Sequence, residues 1–149
     1  DVSWRSTGGD WTYCEVKLSE AEFGTATDDK RHREKLDWIY RPVLSHYCPA
    51  ELLEPQAFFA NYQVLRNLWL AAREPRASVV FLLPRCNATL WGPLQAVTSA
   101  VSSALSKRIH IVATEDVLAA LVSSRTTPPR LAWYAELLAE KYVAPDAAA

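Results

Sequence analysis

Two runs of β-forming residues, DVSWRS (1–6) and WTYCEVKL (11–18), flank Thr7-Gly8-Gly9-Asp10. A Gly-Gly pair supplies the positive φ that tight hairpin turns need, so the chain opens on a β-hairpin. This hairpin constrains the rest of the fold, because its loop length decides which side chains share a face. A strand repeats every two residues, so Glu15 and Lys17 project from the same side. A two-residue Gly8-Gly9 turn would pair Asp1 with Val16 and send Asp1 to the opposite face. A three-residue loop, or one bulge, pairs odd residues with odd and brings Asp1, Glu15 and Lys17 together.

Beyond a loop at 19–29, helical spacing of Leu36, Ile39 and Tyr40 predicts a helix from Asp28 to about His46, interrupted at Pro42. Pro55 and Pro75 bracket a second long helix. SVVFLLP (78–84) reads as a buried strand, followed by a helix over 91–106 and a strand over 108–114. A helix over 115–123 follows, capped by Thr114 with Glu115 and Asp116 in its first turn. After the TTPP linker, a closing helix at 129–142 is expected to dock through Trp133, Tyr134 and Leu137. Residues 144–149 read as a frayed tail. The order β-β-α-α-β-α-β-α-α predicts one α/β domain over 1–143, a mixed central sheet with helices on both faces.

With 149 residues, half of them hydrophobic and six of them Trp, the chain can bury a real core. Its 16 basic and 17 acidic residues give no overall positive field. Any grip on nucleic acid must come from a local patch. DDKRHREK (28–35) is the one available, with Lys30, Arg31, Arg33 and Lys35. The competing reading is a solvated helix face laced with intrahelical ion pairs. Cys14, Cys48 and Cys86 form no C-x-x-C pair, which argues against zinc and for a reducing, cytoplasmic setting. No apolar run reaches the ~18 residues of a membrane span.

Glu15 and Lys17 alone could be an ordinary surface ion pair. With Asp1 beside them, two carboxylates and an ammonium converge, a set of hard oxygen ligands suited to Mg²⁺ or Mn²⁺. Phosphodiester hydrolysis uses such a set. The ion offsets charge and activates a water, while a lysine orients that water or stabilises developing negative charge.

The arrangement of an acid, a hairpin and then E-x-K resembles the PD-(D/E)XK nuclease superfamily. The similarity extends to a bacterial group of that superfamily through Glu15-Val16-Lys17, Glu20 and Glu22, Phe23-Gly24, and Gln63-Val64-Leu65-Arg66-Asn67, over most of residues 1–123. The resemblance implies a restriction-endonuclease-like fold that lacks the superfamily's first helix and strand; the chain begins at Asp1 rather than Met and reads as a piece of a longer protein. It also implies Mg²⁺, with Mn²⁺ as substitute, held by Asp1, Glu15 and the Val16 carbonyl. Lys17 would be the catalytic lysine, with Gln63 beside it. DNA would be the substrate, gripped by the 28–35 segment and Arg66. For Gln63 and Arg66 a structural hydrogen-bond network is an equal alternative. Two other functions stay open: a nuclease-fold relative that binds nucleic acid or protein without cleaving, and an α/β interaction domain in which E-x-K is only an ion pair.

Overall fold

The computed structural model describes residues 2–142; Asp1 and the expected frayed tail lie outside the described residues. Strands β1 (Val2–Arg5) and β2 (Trp11–Val16) form the hairpin, with Ser3 opposite Tyr13 and Arg5 opposite Trp11. Odd residues therefore face odd residues. The loop explains this register. Ser6 N–H donates to Asp10 O at 2.9 Å and Gly9 N–H to Ser6 O at 2.9 Å. Thr7, Gly8 and Gly9 thus make a three-residue connection, and Gly9, at φ +89°, takes the left-handed position such loops reserve for glycine.

The sheet continues with β3 (Ser78–Leu83) and β4 (Ile109–Ala113) in the order β1-β2-β3-β4. β1 runs antiparallel to β2, while the β2–β3 and β3–β4 pairs are parallel. Each parallel step needs a helical crossover. The first is α1 (Lys30–Lys35), α2 (Arg41–Leu44), α3 (Pro55–Ala60) and α4 (Tyr62–Ala72); the second is α5 (Ala88–Ala100) and α6 (Ser103–Ser106). Helices α7 (Thr114–Ser123) and α8 (Pro129–Tyr142) close the fold. The chain thus builds the expected mixed sheet with helices.

Side-chain parity sets where the core lies. Val79, Phe81 and Leu83 of β3 are fully buried, packed in one cluster with Leu65 and Leu68 of α4 and Leu90 and Leu94 of α5. Glu15 lies opposite Phe81, so the odd side of β2 belongs to this core face. The even side is more open, with Val2 and Trp4 exposed.

Several element boundaries depart from the sequence pattern, each for a local reason. The 28–46 helix widens into a π-helical stretch, Leu36–Tyr40, where Arg41 N–H reaches back to Leu36 O just before Pro42. Leu36 and Tyr40 are buried while Asp37, Trp38 and Ile39 are exposed. The 55–75 helix breaks at Asn61, whose φ −112° and ψ 25° leave the helical well while its side chain bonds Ala57 O. The 91–106 helix breaks at extended Val101. Thr114 does not cap α7. It occupies the first turn, its hydroxyl buried without a partner among the described residues, and Ala113 holds the cap position. Trp133, Tyr134 and Leu137 do not dock α8. All three are exposed, Ala135 is the helix's buried residue, and α8 packs against α7.

Candidate active site

Glu15 stands near the C-terminal end of β2 on the core face and is only 2% exposed. Lys17 follows one strand period later, 8% exposed, its backbone N–H bonded to Leu82 O of β3. Their charges meet at 3.5 Å between Lys17 Nζ and Glu15 Oε1. A surface ion pair is therefore excluded. A buried carboxylate must find donors or lose its charge, and Glu15 finds them on α4. Gln63 Nε2 donates to Oε1 at 2.5 Å, and Asn67 Nδ2 donates to Oε2 at 2.9 Å. Four residues separate the two amides, which places them on one helix face.

Gln63 is itself held. Its Oε1 accepts the Gly24 backbone N–H at 2.6 Å, and its own backbone N–H donates to Gly24 O at 3.0 Å. A Cβ at position 24 would come within 3.2 Å of that Gln63 oxygen, so the Phe23-Gly24 pair has a physical reason. Phe23 is buried edge-on against Phe81, and its ring centre lies 5.8 Å from the Lys17 ammonium. Lys17 also meets Glu20 at 3.9 Å. Glu20 titrates below the usual carboxylate range. Partial burial opposes this, but the N–H groups of Leu18 and Ser19 on its Oε2, and the Lys17 charge, outweigh it.

The structure thus unites Glu15, Lys17 and Gln63; Asp1 lies outside the described residues. Odd-with-odd pairing along the hairpin is the register that the expected three-residue loop requires. Val16 is half-buried and lies opposite Leu82 in the parallel ladder. Arg66 is exposed, and its charge acts on the Tyr40 hydroxyl. The basic segment divides. Asp28 grips Arg33 with both oxygens, at 2.5 and 2.8 Å, and Asp29 takes His32 at 2.8 Å. Lys30 and Arg31 are exposed. Asn67 and Glu20, which belong to the pattern that carries the resemblance but are given no role by it, join the site; the i+4 spacing of Asn67 from Gln63 is the visible signal.

A carboxylate oxygen offers about two lone-pair sites. After one amide donation to each oxygen, Glu15 keeps acceptor capacity for a hard cation. Its donors also fix its orientation, as outer partners of a metal ligand do. Among the described residues no cluster of three or more His, Cys, Asp or Glu side chains occurs.

A mixed sheet carrying E-x-K on its second strand, with the acid locked to a following helix, defines a restriction-endonuclease-like domain. The family described as "Restriction Endonuclease associating with ARP" matches residues 1–143, and the chain belongs to it. No curated protein and no solved structure matches the chain. Among the described residues, no helix is long and apolar enough to cross a membrane.

Proposed function

We propose that this chain is a metal-dependent nuclease domain that hydrolyses DNA phosphodiester bonds. The observation that carries the reading is the buried Glu15–Lys17 pair fixed by Gln63 and Asn67 at one end of the sheet, in a chain of a restriction endonuclease family. Glu15, Asp1 and the Val16 carbonyl would hold Mg²⁺, or Mn²⁺ in its place. The ion supplies charge neutralisation and a more acidic bound water. Lys17 then stands next to the reacting phosphate, where its ammonium orients the attacking water or stabilises charge on the non-bridging oxygens. Gln63 keeps the Glu15 carboxylate aimed. Lys30, Arg31 and Lys35 grip phosphates, with Arg66 as a further contact; phosphate contacts position the substrate without doing chemistry. The ARP of the family's description is taken as a partner of this chain within the same proposal.

A second reading, nucleic-acid binding without cleavage, draws on one observation: both Glu15 oxygens already serve a protein hydrogen-bond network. Thermal unfolding with and without Mn²⁺, beside nicking of supercoiled plasmid, separates the two. Wild-type protein should be stabilised by the metal and should nick. Lys17→Ala should keep the stabilisation and lose the nicking. Wild-type protein showing neither metal stabilisation nor nicking would leave the second reading standing.

A further inference from the structure

From the surface of the first crossover we infer that Trp38 is a base-stacking residue, binding an unpaired nucleotide of a DNA substrate that has a single-stranded part. This rests on the proposed nuclease reading and adds the substrate's form to it. Trp38 is 82% exposed, in a stretch whose neighbours Leu36 and Tyr40 are buried. That exposure is built in. Leu36 and Tyr40, four residues apart, share the core face, while residues 37–39 of the π-helical stretch Leu36–Tyr40 are exposed. Trp69 supports the distortion by donating its indole N–H to Ile39 O at 3.0 Å, and its ring packs on Tyr40. Such widened turns are frequent at functional positions.

The charges around Trp38 favour a polyanion. Arg31 and Lys35, four residues apart on α1, share one side of that helix, and Trp38 follows Lys35 by three residues. The segment's acids are largely engaged elsewhere: Asp28 with Arg33, Asp29 with His32 and Asp37 with Arg41. An imidazole does not cancel the Asp29 charge as a guanidinium would, so Lys30, Arg31 and Lys35 stand against Glu34 and Asp29, three cations to two acids. An aromatic ring bordered by cations is the arrangement that single-strand binders use, bases stacking on the ring while the cations follow the phosphates. The segment packs, through the His32 ring against Phe59 and Tyr62, on the α3–α4 run that also carries Gln63. Inserting a ring between paired bases requires unstacking them, at a cost that an unpaired base avoids. A substrate with a single-stranded tail or junction therefore suits this face better than closed duplex.

The test uses chain carrying Lys17→Ala, so that binding is read without cleavage. Fluorescence anisotropy in Mg²⁺ buffer compares a blunt duplex with the same duplex bearing a single-stranded tail. The tailed DNA should bind about ten-fold more tightly, a step within the range of one base–aromatic stack. Trp38→Ala should bring the ratio to about one with blunt-duplex affinity little changed, while Trp38→Phe keeps most of the preference. The parent's melting temperature should persist in both variants, because the side chain is exposed. A ratio near one in the parent, or a preference that survives Trp38→Ala, overturns the inference. If blunt duplex binds and wild-type protein nicks plasmid, the nuclease reading survives that failure. If neither DNA binds, both fall. Loss of self-association on Trp38→Ala, with the DNA ratio unchanged, would mark the face as a protein contact and overturn the inference too.

Discussion

Glu15→Gln removes the charge while keeping the side chain's shape, and it should unfold the protein more readily than removing Lys17 does. Both Glu15 oxygens accept amide N–H groups, from Gln63 and from Asn67. A glutamine at position 15 turns one of those oxygens into an NH₂ that faces a donor. Neither partner can reverse its amide without loss. Gln63 Oε1 is committed to Gly24 N–H, and Asn67 Nδ2 also donates to Gln63 O at 3.0 Å. Hydrogen bonds to a charged group contribute about 1.5–3 kcal/mol, and a buried polar group left unsatisfied costs about 1–3 kcal/mol. With Glu15 2% exposed, water cannot fill the gap. The combined loss is about 3 kcal/mol, which for a chain of this size lowers the melting temperature by roughly 6–12 °C. Lys17→Ala leaves both amide bonds in place and should shift it less. Adding Asn67→Asp to Glu15→Gln offers the new NH₂ an acceptor and should recover part of the loss. Differential scanning calorimetry at neutral pH reads all four proteins. A shift below about 2 °C for Glu15→Gln would refute the account of how the carboxylate is held.

Gly24→Ala should destabilise by about 1 kcal/mol, because the new methyl presses on the Gln63 amide that also serves Glu15; urea denaturation measures it. On duplex DNA, Arg31→Ala should reduce the salt slope of log K by about 0.9, whereas Arg33→Ala, whose side chain is chelated by Asp28, should leave it unchanged. Exposed Cys86 should react with a thiol reagent in the native state, while buried Cys14 and Cys48 react only on unfolding. Burial pushes the Cys48 thiol up to about 11, above its ordinary value of 9.0. Its neutral form is thus favoured by folding, so its contribution is whole below pH 9 and is lost as pH rises towards 11. Cys48→Ala should show a smaller fall in stability across that window.

Much of this architecture is legible in the sequence because it rests on short-range rules. Gly8-Gly9 announces the hairpin, and counting residues across it states the condition under which Glu15 and Lys17 face the same way as the first strand's odd residues. The short apolar run at 78–83 announces β3. The boundaries that differ do so where tertiary contacts override local pattern. The π-helical stretch before Pro42 puts an extra residue in its turn, which no periodicity rule anticipates, and Ile39 is exposed although its spacing from Leu36 reads as core-facing. In α8, Trp133, Tyr134 and Leu137 read as a docking stripe, yet the helix meets α7 through Ala135. Hydrophobicity alone does not say which face is covered. Within the site, motif order is enough to single out Glu15, Lys17 and Gln63, whereas Asn67 receives no role there because an amide in an apolar helix looks structural until its acceptor is known. Ion pairing within the 28–35 segment is readable as an alternative, but charge counting does not say that Arg33 is the cation Asp28 claims.

The segment joining β2 to α1 carries no regular secondary structure across residues 17–29, and such stretches ordinarily open readily. This one is tied down along its length. Gly24 N–H meets Gln63, Ala26 N–H meets Phe59 O, Asn87 donates to Glu20 O and Thr89 to Ala21 O. Its backbone is thus fastened to α3, α4 and the start of α5. In the language of amide hydrogen exchange, Gly24 and Ala26 belong to the same cooperative unit as the central strands and should exchange only with them. A segment fixed in this way does not act as a swinging lid over Lys17. Access to the ammonium is set by the folded shape itself, and loss of this segment's amide protection on heating should coincide with global unfolding rather than precede it.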